Sequence, residues 1–136
     1  MKKISLVAIC PRQANIQLAL YYLKTYFVKY SPISKLVDIE ILAFSSKESP
    51  ESIVKSIREK NPDIIGFSCY VWNILKTLKV ARDVKSRISG IKVVLGGPEV
   101  SPRAYRLMST HDFIDAIVIG AAIFRFRAIA APLAQR

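Results

Sequence analysis

An α/β fold, with a parallel sheet covered by helices on both faces, is predicted by two features of this chain. Short runs that are apolar throughout recur along it, and each is separated from the next by a segment whose apolar residues fall three and four positions apart. Strands buried on both faces read as continuous apolar runs, and the helices between them must then lie on those faces. The length of 136 residues and the 51% apolar content suit one domain, 1–136, with a core of its own, and argue against disorder.

The elements follow in order. Lys3 to Ile9 is the first strand, ended by Cys10-Pro11. Asn15 to about Lys29 is a helix whose inward stripe is Ile16, Ala19, Leu20, Leu23 and Phe27. Leu36 to Phe44 alternates as a second strand. Ser49-Pro50-Glu51 has the order of an N-cap, a first-turn proline and an early carboxylate, and the helix it opens stops before Asn61-Pro62. Asp63 to Ser68 is the third strand, and a helix from about Asn73 to Ile88 turns Ile74, Leu78, Ala81, Val84 and Ile88 toward the sheet before Gly90 closes it. Ile91 to Leu95 is the fourth strand; a short helix from about Ser101 to Ser109 and a fifth strand, Asp115 to Ile119, complete the series.

This alternation is that of a flavodoxin-like, Rossmann-like doubly wound five-stranded sheet of order 2-1-3-4-5. In such sheets ligands bind at the carboxyl ends of the strands, beside strand 1. The segments to inspect are therefore Cys10 to Asn15, Ser68 to Asn73, Gly96 to Glu99 and Gly120 onward.

Several functions are disfavoured on residues alone. The formal charge of +11 raises nucleic acid as a partner, but the nearest thing to a basic stripe, Lys76, Lys79, Arg82, Lys85 and Arg87, reads as the solvated face of a helix, so no nucleic acid is expected. Nothing approaches a run of about 18 uncharged apolar residues, so no membrane span is expected. The start, Met1-Lys2-Lys3-Ile4, resembles a signal peptide, yet the apolar run is short and no small-residue cleavage site follows Cys10-Pro11-Arg12; it reads as a first strand, and the protein as cytoplasmic. Two cysteines, Cys10 and Cys69, make neither a disulfide framework nor a zinc site. No Gly-x-Gly-x-x-Gly and no Walker-type loop is present. The acidic cluster and phosphorylatable aspartate of a receiver domain are replaced by Cys10-Pro11-Arg12 and Ser68-Cys69-Tyr70.

What remains at the carboxyl edge is "GFSCYVWN", residues 66–73, with hydroxyls, an amide and flat aromatic surface at a strand-to-helix junction. These groups suit holding a large planar ligand. Gly96-Gly97 removes two side chains where the next strand meets its loop, which either lets a ligand approach the backbone or serves a turn before Pro98.

Together, "DIIGFSCYVWN" and "VVLGGPEVS" resemble the N-terminal cobalamin-binding domain of B12-dependent radical SAM proteins, a group that includes methyltransferases and the anaerobic magnesium-protoporphyrin IX monomethyl ester cyclase type; the resemblance covers about residues 3 to 120. It implies a corrinoid over the carboxyl edge with its nucleotide tail reaching down into the domain. Ser68 would hydrogen-bond the tail, Tyr70 and Trp72 would pack on it, and Gly96 with Gly97 would leave it room, so that Gly97→Trp is expected to block binding with the fold intact. The neighbouring Pro11, Arg12, Gln13, Asn15, Cys69, Val71, Asn73, Pro98, Glu99 and Gly120 would complete the cofactor-binding set, with no catalytic or metal-ligating residue.

Two positions depart from the family pattern. The Asp-x-His-x-x-Gly motif that supplies a lower histidine ligand is absent, and the sole histidine, His111, reads as structural, which implies cobalt held His-off. After the fifth strand the usual Gly-Glu-Gly-Glu is replaced by Gly120-Ala121-Ala122-Ile123. By the same resemblance, S-adenosylmethionine and a [4Fe-4S] cluster belong to a downstream radical SAM domain, since two cysteines cannot hold such a cluster, and this chain alone is expected to carry a cofactor without turning anything over. The competing class is a cofactor-free interaction domain. Tyr22, Tyr26 and Tyr30 repeat along the first helix as either a surface for self-association or packing beneath a neighbouring loop.

Overall fold

The computed structural model describes residues 1–11 and 18–120. It contains five parallel strands, β1 (Lys2–Cys10), β2 (Val37–Ser45), β3 (Ile64–Ser68), β4 (Lys92–Gly96) and β5 (Ala116–Ile117), in the order β2-β1-β3-β4-β5. Between them run α1 (Leu18–Tyr30), α2 (Pro50–Lys60), α3 (Ile74–Arg87) and α4 (Ala104–Thr110). The expected order is therefore observed, with differences at the ends. Leu36 belongs to a 3-10 turn, Ser34–Leu36, ahead of β2; Pro102 lies in a second such turn, Ser101–Arg103, that delays α4; and β5 pairs over two residues only.

Local chemistry sets the helix ends. Ser49 Oγ accepts the Ser52 N–H at 3.1 Å, Pro50 follows, and at the far end Asn61 adopts a left-handed φ of 48° while its N–H reaches the carbonyls of Ile57 and Arg58. Asparagine is among the few residues that tolerate that conformation.

The amino edge of the sheet is closed by carboxylates. Asp63 accepts the Lys3 N–H at 2.8 Å, and one Asp115 oxygen accepts both the Val93 N–H and Lys85 Nζ at 2.7 Å. Lys85 also donates to the Ile91 carbonyl and Lys76 to that of Ser46, so two cations of the supposed solvated stripe are tied into the fold.

Two cores lie on the two faces. The α2–α3 side buries Val7, Phe67 and Leu95 from neighbouring strands, together with Val80, Ala81 and Val84 of α3. Of the expected inward stripe of α3, Ala81, Val84 and Ile88 are buried and Ile74 and Leu78 partly covered, and Thr77 and Val80, which were not expected, are fully buried beside them. The opposite side buries Ile4, Leu6 and Ala8 of β1 beneath Leu20, Leu23 and Phe27 of α1. Ala19 of the expected α1 stripe is exposed, and Ile16 lies outside the described residues. α2, α3 and α4 all contribute to the first core, so among the described residues α1 is the one helix on the second face.

Candidate functional site

Residues Leu6, Gly66 and Val94 stand in register across β1, β3 and β4 on the α1 face. With Val118 they floor a cavity of about 460 Å³ that α1 walls with Ala19, Leu20 and Leu23. Its mouth, at the carboxyl edge, is formed by Ser68, Tyr70, Gly96, Gly97, Pro98, Ser101 and Gly120. The floor is deep because Gly66 has no side chain: a Cβ there would stand 3.1 Å from Leu6 Cδ2.

The β3–α3 junction is held by Asn73. Its Oδ1 accepts the Tyr70 N–H at 2.8 Å, and its Nδ2 donates to the carbonyls of Ile9 and Ser68, each at 3.1 Å. One buried amide thus ties the carboxyl ends of β1 and β3 to the turn that carries Tyr70. The Tyr70 ring stacks on Trp72, centroids 4.5 Å apart and planes 4° from parallel. Ser68 is buried and lines the cavity, and no described residue hydrogen-bonds its hydroxyl. A hydroxyl on the lining of a cavity is an available partner for a ligand.

The two glycines after β4 have different reasons. Gly97 sits at φ +107°, and a Cβ on it would collide with the carbonyl oxygen of Cys69 and lie 2.9 Å from its nitrogen. The β3 and β4 ends close on one another there, through Cys69 N–H to Gly96 O at 2.8 Å and Glu99 N–H to Cys69 O at 3.3 Å. Gly97 is therefore demanded by the backbone, and the expectation that Gly97→Trp leaves the fold intact is corrected. At Gly96 the nearest atom to a Cβ would be Val118 Cβ at 3.8 Å, an ordinary contact. Nothing in the described protein forbids a side chain there, and its absence keeps the mouth of the cavity open.

The structure distributes the other expected residues unequally. Ser68, Tyr70, Gly96, Gly97, Pro98 and Gly120 come together around the cavity. Cys69 does not: it packs into the α2–α3 core, and burial pushes its thiol up to about 12. Asn73 is a buried clamp, Glu99 pairs with Arg103 at 3.0 Å, and Pro11, Val71 and Trp72 are exposed outside the lining, Trp72 beside it through its stack on Tyr70. Arg12, Gln13 and Asn15 lie outside the described residues. Missing from the expected site set were Leu6, Ala19, Leu20, Leu23, Phe67, Val94, Ser101, Val118 and, above all, Gly66. A glycine inside an otherwise apolar strand was the available signal, since such a glycine weakens the strand and marks a close approach.

His111 lies where α4 hands over to β5, which is the amino edge of the sheet, opposite the cavity mouth. Its Nδ1 is 2.8 Å from Thr110 Oγ1, and its ring meets Phe113 edge-on at 5.4 Å. No group of three His, Cys, Asp or Glu side chains among the described residues could hold a metal ion, and no described helix is long and apolar enough to cross a membrane. On α1, Tyr22 and Tyr30 are exposed and Tyr26 partly so, the rings of Tyr26 and Tyr30 being 4.7 Å apart.

Against known proteins, the family described as B12 binding domain matches residues 4–130. The chain is 36% identical over 95 residues to 2-(S-pantetheinyl)-carbapenam-3-carboxylate methyltransferase of Streptantibioticus cattleyicolor, covering 66% of this chain and 14% of that protein. It is 33% identical over 99 residues to the cobalamin-dependent radical SAM methyltransferase TokK of Streptomyces tokunonensis, covering 69% and 14%. The chain thus spans about one seventh of the length of these curated relatives. Among solved structures, the apo form of the cobalamin-dependent S-adenosylmethionine radical enzyme OxsB superposes with a TM-score of 0.71 at 18% identity, over 99% of this chain and 19% of that one, a likeness of fold.

Proposed function

Because the chain belongs to the B12-binding domain family, we propose that its cavity receives the nucleotide tail of cobalamin, with the corrin ring resting on the carboxyl edge and no protein histidine on the cobalt. The observation that carries this reading is the cavity of about 460 Å³ between α1 and the sheet, open at the edge where the β3 and β4 loops meet. Ligand pockets of this kind are largely apolar, with a few placed polar groups that set orientation. Here the placed group is the Ser68 hydroxyl, which hydrogen-bonds the tail near the mouth. Tyr70 packs on the tail as it enters, and its stack with Trp72 extends a flat wall toward the ring. Gly96 leaves the entrance clear, and Ala19, Leu20 and Leu23 shield the tail from water. Bound cobalamin supplies a cobalt centre able to carry a methyl group.

The location of His111 supports the His-off part of the reading, because a residue at the amino edge cannot reach a ring on the carboxyl edge. Both curated relatives are named methyltransferases, which favours a methyltransferase over a cyclase as the enzyme this domain serves. S-adenosylmethionine and a [4Fe-4S] cluster would belong to a partner radical SAM domain downstream. A cytoplasmic location goes with that proposal, since cluster thiolates require a reducing compartment.

The test is retention. The purified chain is mixed with hydroxocobalamin, desalted, and its visible spectrum recorded, beside Gly96→Leu, whose side chain would block the mouth without the backbone collision that rules out Gly97 variants. Wild type should keep the corrinoid bands and Gly96→Leu should lose them with its far-ultraviolet circular dichroism unchanged. Equal retention by the two, or none by the wild type, would overturn the proposal.

A further inference from the structure

The depth of the cavity carries more than its existence. Its floor, Leu6, Gly66 and Val94 with Val118, is wholly apolar, and so is the α1 wall. The backbone N–H and C=O groups of β1, β3 and β4 at that row are committed to the parallel ladder. Among the described lining residues, polar side chains occur only at the mouth. Of these, the Ser101 hydroxyl already donates to the Gly97 carbonyl at 3.1 Å and accepts the Gly120 N–H at 3.3 Å. Ser68 is left, and it stands at the carboxyl end of its strand, where the ribose and phosphate of a descending tail would pass.

Resting on the cobalamin reading of this cavity, we propose that it selects corrinoids whose lower nucleotide ends in an apolar benzimidazole over those that end in a purine, and that Gly66 sets the depth that admits the base. A dimethylbenzimidazole presents methyl groups and ring edges to the floor. An adenine presents an exocyclic amine and additional ring nitrogens, each of which needs a hydrogen-bond partner once removed from water. The described floor offers none. Loss of one or two such bonds corresponds to roughly a tenfold to hundredfold weaker dissociation constant.

Gly66 has no conformational reason to be glycine, for it lies in regular β3 pairing with β1 and β4. A methyl group there would meet the end of the Leu6 side chain at 3.1 Å and push it into the space the base would fill. Gly66→Ala should therefore leave the fold as stable as before or more so, since glycine weakens a strand, while making the cavity shallower.

The experiment titrates the full chain with cobalamin, with its adenine-containing analogue and with cobinamide, which has no nucleotide, following the fluorescence of Trp72, the one tryptophan. The expected result is cobalamin bound at least about tenfold more tightly than the adenine analogue, cobinamide weaker than cobalamin, and Gly66→Ala weakening cobalamin several-fold without changing cobinamide. Equal binding of cobalamin and the adenine analogue would overturn base selection while leaving the cobalamin reading in place. Equal binding of cobalamin and cobinamide would show that the tail does not enter the cavity and would overturn the inference with it. Binding of none of the three would instead remove the reading on which it rests. The wild-type comparison decides these outcomes even if Gly66→Ala does not fold.

Discussion

Replacing Gly97 with alanine should destabilise the protein by roughly 2–6 kcal/mol, whereas the same change one residue earlier should be close to neutral. The magnitude has two parts. At φ +107° an alanine occupies backbone space open essentially to glycine alone, a strain of roughly 1–3 kcal/mol. Its Cβ also meets the Cys69 backbone, at its carbonyl oxygen and, at 2.9 Å, its nitrogen. Rigid backbone yields less than a side-chain tip, and overpacking of this kind costs about 1–3 kcal/mol more. Relief requires β3 and β4 to separate, which would break the Cys69 N–H to Gly96 O bond of 2.8 Å. Gly96 carries neither burden, since its Cβ would lie 3.8 Å from Val118 Cβ. The assay is equilibrium urea unfolding. With a slope of about 2 kcal/mol/M for a small domain, Gly97→Ala should move the midpoint down by roughly 1–3 M with little change in slope. A midpoint within about 0.3 M of wild type, or a larger loss in Gly96→Ala than in Gly97→Ala, would refute the reasoning.

Asn73→Ala should cost about 2–4 kcal/mol in the same assay, because it strips partners from the Tyr70 N–H and the carbonyls of Ile9 and Ser68 at once; Asn73→Asp should recover none of the loss, since a buried carboxylate oxygen would face those two carbonyl oxygens in place of the amide donor, and an aspartate variant as stable as wild type would contradict the clamp. The Cys69 thiol, raised from 9.0 to about 12 first by burial, stays neutral in the folded chain over a range where the unfolded chain ionises, so its contribution to stability is whole below about pH 9 and declines as pH rises toward about 12. Iodoacetamide at pH 8 should accordingly leave the Cys69 peptide unmodified until urea is added, and rapid labelling in native buffer would count against that burial. In the cob(II)alamin state, the electron paramagnetic resonance spectrum of the loaded chain should show no protein nitrogen splitting and should be the same in His111→Ala; a splitting lost on that substitution would refute the His-off proposal.

The sheet and its order were legible because they rest on short-range pattern. Continuous apolar runs such as Lys3 to Ile9 can be satisfied only by burial on both faces, and Ser49-Pro50-Glu51 or Asn61-Pro62 act through bonds within a few residues. The carboxyl edge followed from topology, and the structure sets Ser68, Tyr70 and Gly96 around a cavity there. Helix burial was less secure. The α3 stripe extends to Thr77 and Val80 because the neighbouring surfaces of α2 and the sheet decide what is covered, and those belong to residues distant in sequence.

By itself, then, the sequence determined an alternating α/β domain and the carboxyl edge at which the β3 and β4 loops meet. Tertiary structure alone decided what each residue at that edge is for. Adjacent positions part company there: Ser68 faces the cavity while Cys69 faces the core, and Gly96 opens the mouth while Gly97 makes way for the Cys69 backbone. The floor of the cavity comes from the register that aligns Leu6, Gly66 and Val94 across three strands, and its wall from α1. Steric collisions and shared space arise between segments that pair through long crossovers, and a linear pattern holds no record of which atoms will meet.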